Sequence, residues 1–517
     1  MKLYKQMQDN FYITTPIYYP SGEPHMGHAY SSILADVFAR FYRVAGNNVY
    51  FLTGTDEHGL KIQNAAKKNN LEPLEYCDKI SKVFKNLTKK LNLSNDDFIR
   101  TTEKRHHNAV NDLWNKLVNS GDIYLSKYKG WYSESDEAYY SEDEIIEKEG
   151  KKISTFSGSL VEWVEEESYF FKLSAWEKKL LNFYEKNEKF ILPNSRRNEV
   201  INFVKGVLKD LSVSRTSFSW GIKVPGNKNH VIYVWLDALT NYLSAIDYPD
   251  TKSKLFKNFW PASIHVIGKD ILRFHAIYWP AFLLAADIEP PKRIFGHGWI
   301  LSGEEKMSKS KGNILNPLEV INKYGIDQLR YYLMKEVSHG SDGNISLENL
   351  EKCVNSDLAN NYGNLCQRIF AFIKNNCNNV VSKNNNLSKN DKNIIKDTKF
   401  LLKDLHNLMN NQSLNIYIKK VIDISFLTNK YINDEEPWKL KKTDVQKMNN
   451  ILHIALEQIG IISLLLYPII PLASSKVMDA LNITEKSRNL TFLDGKNILP
   501  DKVKIQNLEI LFNKVNP

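Results

Sequence analysis

The sequence predicts an α/β fold in which a parallel sheet, split by an insertion, is followed by an α-helical bundle. Three observations carry this. An apolar β-branched and aromatic run, an amphipathic stretch and a second apolar run succeed one another between Phe11 and Gly54. The same alternation returns between Ser263 and Leu301, after a long stretch that lacks it. Beyond Gly325 helical periodicity holds almost throughout.

Taken in order, FYITTPIYY (11–19) suits a buried strand, which PSGEP then breaks. His25 to Ala45 follows as a helix whose apolar stripe is Ile33, Leu34, Val37, Phe38, Phe41 and Val44, with Gly46 just past its end. Val49 to Gly54 is the next strand, so the three form a βαβ unit with parallel strands and a right-handed crossover. Later, Ser263–Gly268 reads as a strand, Asp270–Ala286 as a helix and Ile294–Leu301 as a strand. Residues 120–215, rich in charge and aromatics, read as an inserted subdomain. The Asn/Lys-rich stretch 374–393 reads as a mobile loop between helices, and no internal repeat is present. The expected organisation is therefore 1–119 and 216–325 as the two halves of one domain, 120–215 as its insertion, 326–350 as a linker and 351–517 as the helical bundle.

A chain of 517 residues, 43% hydrophobic and 12% aromatic, can fill several cores and is not a disordered chain. The balance of 69 Lys+Arg against 59 Asp+Glu, a net +10, fits a polyanionic partner without demanding one. Cys77, Cys353, Cys366 and Cys377 never form a C-x2-C pair, which argues against a thiolate metal site or a disulfide framework. The opening MKLYKQMQDN has no apolar core of a secretory signal. The most apolar window, Ile451–Leu472, contains His453, Glu457, Gln458 and Pro468, so it reads as a buried helix and not a membrane span. A soluble, cytoplasmic protein with no membrane partner is expected.

Two motifs carry chemistry. Pro24-His25-Met26-Gly27-His28 sits at a strand-to-helix junction, where unpaired N–H groups and the helix dipole favour phosphate. Gly27 would let a ligand approach the backbone, and two imidazoles can donate to phosphate oxygens. By itself the motif equally suits two surface histidines at a turn. The second, Lys306-Met307-Ser308-Lys309-Ser310 within SGEEKMSKSKGN, offers a glycine-flanked cationic loop for a leaving pyrophosphate, or else a solvated basic turn.

Together these motifs resemble the HIGH and KMSKS signatures of class I aminoacyl-tRNA synthetases, the first with Met26 where many members carry Ile or Leu. The blocks FYITTPIYYPSGEPHMGHAY, FLTGTDEHGLKIQ, VIYVWLDALTNY, HVIGKDILRFHAIYWPAFL and HGWILSGEEKMSKSKGN are similar to those of bacterial-type methionyl-tRNA synthetases, from Phe11 to about Trp438. The resemblance implies a Rossmann-like catalytic domain with a connective insertion, an α-helical anticodon-binding domain, and the ligation of methionine to its tRNA at the expense of ATP. It implies that His25, His28, Lys306 and Lys309 serve catalysis, and that Gly27, Gly268, Lys269, Asp270 and Lys309 hold ATP, which enters with Mg2+. By the same resemblance Ile17, Tyr19, Trp235, Ala238, Tyr242, Ile271, His275 and Trp279 form a methionine pocket, and Asp56 receives the substrate ammonium. Such a pocket suits the ligand, since a polarizable aromatic wall favours a thioether and an anion favours an ammonium. Read without the family, Ile271, His275 and Trp279 at i, i+4 and i+8 are more often a core face than a ligand site.

In the helical region Asn360, Asn364 and Arg368, spaced by four, match the family's anticodon-reading positions, and Trp438 matches its stacking tryptophan. A polar helix face beside a half-buried Trp is the plainer reading of the same residues. Two departures matter. Residues 120–215 contain no cysteine, so a zinc-free form without a metal is expected. The chain ends soon after the bundle, with no appended oligonucleotide-binding domain, so a monomer is expected. Rival readings are a synthetase for another apolar amino acid, a non-catalytic tRNA-binding relative and a small-molecule nucleotidylyltransferase. The first lacks room for a large editing insertion, and the last leaves the helical region unexplained.

Overall fold

Strands covered on both faces can be apolar throughout, and the runs singled out above form such a sheet. In the computed structural model every residue is described except 1–8, 21, 149, 207, 303–304, 307–314, 338–339, 385, 491–496 and 516–517, with backbone alone at 302, 305 and 306. The chain forms two compact units, one of Asn10–Ala35 with Tyr50–His297, the other of Met1–Asp9, Asp36–Val49 and Gly298–Pro517.

The first unit is built on six strands: β1 (Asn10–Thr14), β2 (Asn48–Thr55), β3 (Asp97–Arg100), β4 (Ile191–Leu192), β5 (Ile264–Gly268) and β6 (Ile294–His297), in the spatial order β3-β2-β1-β5-β6-β4. Parallel registers such as Ile13↔Ile264, His265↔Ile294 and Leu52↔Asp97 align them. Helix α1 (Met26–Val44) follows β1, α2 (Lys104–Asn119) follows β3, and α3 (Trp279–Ala285) lies between β5 and β6. Where Asp270–Ala286 was expected as one helix, a 3-10 turn (Lys269–Ile271) and a π-helical segment (Phe274–Tyr278) precede α3. Ile294–Leu301 is likewise not one strand, since β6 ends at His297 and Ile300–Ser302 joins a different sheet.

Within residues 120–215, read as an insertion, an antiparallel sheet is built around the long pair Ile123–Ser133 and Glu162–Phe171, flanked by Ala138–Tyr140 and Leu211–Ser212, whereas Ile191–Leu192 of the same stretch joins the parallel sheet. Opposite charges face each other across that pair, with Lys127 opposite Glu167 and Lys129 opposite Glu165.

The second unit is mostly helical. Residues 326–350, read as a linker, contain α4 (Ile326–Glu336), in which Leu329, Arg330, Tyr331, Leu333 and Met334 are buried. Next come α5 (Asn364–Asn376), α6 (Lys389–Leu402), α7 (Leu414–Glu435) and α8 (Val445–Leu466). Helix α8 is long and apolar enough to cross a membrane, but 89% of its most apolar stretch is buried inside the protein. It is a core helix, ended by Pro468. The stretch read as a loop, 374–393, is more ordered than its composition suggests. Val380–Ser382 pairs antiparallel with Lys502–Lys504, and Ser388 and Asp391 form a capping box at the start of α6. Fully buried Arg330 donates to Asp36 (2.7 Å), Pro468 O (2.9 Å) and Ile469 O (2.8 Å), and Arg40 donates to the same carboxylate at 2.7 Å.

Candidate active site

In an open parallel sheet, ligands settle at the C-terminal strand ends where the strand order reverses. Here that point lies between β1 and β5, since β2 and β3 extend to one side and β6 to the other. The chain beyond β1 runs on beside β2, with Tyr18 N donating to Gly54 O and Asp56 N donating to Tyr18 O, at 2.9 and 3.0 Å. Ile17, Tyr19 and Asp56 are thereby gathered at the C-terminal ends of β1 and β2. Nearby, α1 opens at the His25–His28 motif.

That motif has a defined protonation pattern. The Nδ1 of His28 accepts from His25 N–H and the Nδ1 of His25 accepts from Gly27 N–H, each at 3.1 Å. A nitrogen that accepts carries no proton, so the proton of each neutral ring sits on Nε2. Burial, with His25 as a neighbour, lowers the His28 pKa well below the usual value. The two rings, with centroids 3.8 Å apart, thus carry their N–H groups on Nε2 when neutral. A Cβ at Gly27 would lie 3.0 Å from the His25 ring, so its bareness also makes room for that imidazole. Gly268, at the end of β5, similarly leaves room for the Asp270 carboxyl, which a Cβ would meet at 2.5 Å. Asp270 is exposed and Lys269 half-buried.

The pocket residues converge. Trp235 and Ala238 lie on the helix Val234–Leu239, and Tyr242 follows on the next turn. Tyr242 and His275 are 2.8 Å apart through Oη and Nε2, while His275 Nδ1 donates to Ile271 O at 3.0 Å. Burial pushes the His275 pKa down to about 4. The ring is thus neutral, and Tyr242 is the donor to it. Trp235 stacks on Phe274 at 3.8 Å and lies edge-on to His275, and Trp279 is 6.2 Å from Tyr242. Ile17, Tyr19, Trp235 and Ile271 are the half-exposed members packed against this core. Three of its polar atoms are buried without a partner: the indole nitrogens of Trp235 and Trp279, and Oδ1 of Asp56. Burial, then the charges of Asp237 and Glu137, raise the Asp56 pKa well above the carboxylate range.

Comparison with known proteins places the chain that carries this arrangement in a family. The description "tRNA synthetases class I (M)" matches residues 11–151 and 150–370, and "Anticodon binding domain of methionyl tRNA ligase" matches 381–517. The methionine–tRNA ligase of Rickettsia felis is 50% identical over 485 residues, covering 93% of this chain and 94% of that protein. That of Rickettsia typhi is 48% identical, covering 98% and 100%. The crystal structure of Mycobacterium tuberculosis methionyl-tRNA synthetase bound by methionyl-adenylate superposes with a TM-score of 0.94 at 41% identity, covering 98% and 100%. The chain belongs to the methionyl-tRNA synthetases.

Other residues that the family resemblance singled out lie in the helical unit. Asn360 and Asn364 are exposed, at the end of the π-helical segment Val354–Gly363 and the start of α5. Arg368 lies 5.9 Å from the Trp438 ring and donates to Asn433 Oδ1 at 2.9 Å, and Trp438 is 41% exposed. Arg368 and Trp438 are therefore neighbours, and Asn360 and Asn364 lie exposed on the same helical stretch as Arg368. Lys309 lies outside the described residues, and Lys306 is described only as backbone in the short strand Glu305–Lys306. Among the described residues no group of three His, Cys, Asp or Glu side chains is arranged to hold a metal.

Sequence reading missed two sets of supporting residues. Asp237, fully buried, accepts from His58 Nδ1 and His106 Nε2, both at 2.7 Å. Burial works against its charge, but the two imidazoles hold its pKa below the usual range. The network ties the pocket helix to α2 and to the segment that carries Asp56. Glu137, from the insertion, is the second. Its carboxylate accepts from Tyr132 Oη, from Lys61 N at 3.1 Å and from Tyr19 Oη at 3.2 Å.

Proposed function

We propose that this member of the family activates methionine with ATP to methionyl-adenylate and passes the methionyl group to the 3'-terminal adenosine of tRNA(Met). The observation that carries the reading is Asp56, a buried carboxylate with one unpartnered oxygen beside a pocket of Tyr19, Trp235, Tyr242 and Trp279. A buried acid without a partner is costly, and a substrate ammonium satisfies it.

With the ammonium on Asp56 and the thioether among Ile17, Ala238, Ile271, His275 and the aromatic rings, the substrate carboxylate is left to attack the α-phosphorus of ATP, and pyrophosphate leaves. No protein nucleophile is needed, so catalysis is positioning and charge stabilisation. ATP enters as its Mg2+ complex near Gly27, Gly268, Lys269 and Asp270. The Nε2–H groups of His25 and His28 donate to triphosphate oxygens, and Lys306 and Lys309 neutralise the departing pyrophosphate. Asn360, Asn364, Arg368 and Trp438 read the anticodon. The protein works in the cytoplasm as a monomer, without zinc and without a membrane.

Pyrophosphate exchange with each of the twenty amino acids in turn tests the reading. Exchange should depend on methionine and be weak or absent with isoleucine, leucine and valine. Equal exchange with any of those three, or none with methionine, would overturn it.

A further inference from the structure

The insertion sends one side chain to the amino-acid pocket, and two features set that residue apart. Glu137 is only 4% exposed, although a buried carboxylate is expensive. Its backbone has φ 48°, a conformation uncommon outside glycine, asparagine and aspartate. Both costs fall on one turn residue, so other contacts must hold it there.

Those contacts run in two directions. Tyr132 donates to one carboxylate oxygen, and Tyr233 donates to the Glu137 carbonyl at 2.8 Å. The neighbouring Asp136 is fastened to the insertion by the hydroxyls of Tyr140 (2.7 Å), Ser159 (2.8 Å) and Ser157. On the other side, the second carboxylate oxygen meets the Tyr19 phenol and the amide of Lys61. The single Tyr19 proton is shared between His58 O and Glu137, so the hydroxyl is bracketed between a backbone carbonyl and that carboxylate. Gly59, with φ 100°, completes the cradle, because a Cβ there would lie 2.4 Å from the Tyr19 oxygen and 2.9 Å from Glu137. Three segments distant in sequence thus converge on one phenol.

We infer that Glu137 is a positioning residue for the amino-acid pocket: it fixes Tyr19, so the connective insertion helps recognise methionine without touching it. The inference rests on the reading of Tyr19 as a pocket wall. A bland alternative is that Glu137 only braces the tip of the insertion.

Pyrophosphate exchange on the full-length protein separates the two. Glu137→Ala should raise KM for methionine about tenfold, the effect of losing a buried hydrogen bond, with kcat and KM for ATP within about twofold. Glu137→Gln keeps an acceptor for Lys61 N and Tyr19 and should stay within about threefold of wild type. In a Tyr19→Phe background, which should itself raise KM for methionine, Glu137→Ala should add little. A normal methionine KM in Glu137→Ala, an equal rise for ATP, full additivity with Tyr19→Phe, or no rescue by Gln would each overturn the inference. So would a normal methionine KM in Tyr19→Phe, even where Glu137→Ala fails to fold. Absence of methionine-dependent exchange by the wild type removes the underlying reading instead.

Discussion

Replacing Asp56 by Asn should move stability and methionine recognition in opposite directions. In the free protein its Oδ1 is buried without a partner, and burial plus the charges of Asp237 and Glu137 raise its pKa. A carboxyl whose folded pKa lies above its unfolded value destabilises the fold once pH exceeds about 4, and the loss levels off above the raised pKa. An unsatisfied buried polar group costs about 1–3 kcal/mol, more when charged. Asn keeps the shape and sheds the charge but leaves one amide group imperfectly paired, so the net gain should be about 1–2 kcal/mol. At about 2–4 °C per kcal/mol for a unit of this size, the melting temperature at pH 7 should rise by several degrees. Losing the anion opposite a desolvated ammonium costs about 2–5 kcal/mol, roughly 30- to 5000-fold in KM for methionine. For the wild type, only ionised Asp56 receives the ammonium, so KM should fall as pH rises through the raised pKa, and the Asn variant should lose that trend. Differential scanning fluorimetry and pyrophosphate exchange between pH 5 and 8 measure both. A variant that melts lower, or binds methionine as wild type does, would refute the reasoning.

Lys309→Ala should cut the rate of adenylate formation by about 100-fold or more, as removal of a transition-state charge partner does, with methionine KM nearly unchanged in burst or exchange kinetics. Trp438→Ala should leave exchange intact and slow tRNA charging by about 1–3 kcal/mol of lost stacking, with an unchanged melting temperature because the indole is half-exposed. Arg330→Ala removes one of the guanidinium partners of buried Asp36 and should destabilise the helical unit by about 3–5 kcal/mol in urea titration. Elemental analysis after EDTA dialysis should find no stoichiometric zinc and no loss of exchange activity.

The βαβ units were legible because buried strands and an amphipathic helix have distinct periods, and α1 was read to within a residue or two of its observed ends. Strand β4 was not, because two residues, Ile191 and Leu192, carry no period. The break between Lys269 and α3 was hidden for a related reason: a π-helical turn shifts the phase of a pattern read at 3.6 residues per turn. Val380–Ser382 looks like loop because its pairing partner lies at the far end of the chain, at Lys502–Lys504. The capping box that opens α6 at Ser388 lies inside the same stretch read as loop. For the site, resemblance supplied the blocks that contain Asp56 and Asp237, but spacing could not reveal that His58, His106 and Asp237 meet. Glu137 was harder still, because it sits among Glu134, Asp136 and Glu142 in an acidic run that reads as surface.

The helical unit does not begin where the helical sequence begins. Its core includes Asp36–Val49, whose Asp36 balances Arg330 and whose Phe41 lies edge-on to Tyr417, with ring centroids 5.8 Å apart. For recombination, this makes the unit a two-piece cassette. A chimera joined by one crossover near Gly298 would inherit its guanidinium from one parent and the matching acid from the other. Such a graft keeps the pair only where the parent supplying 36–49 carries an acid at that place. Exchanging 36–49 together with the C-terminal piece removes that dependence, and gives protein engineers a rule for cutting this chain that its linear order conceals.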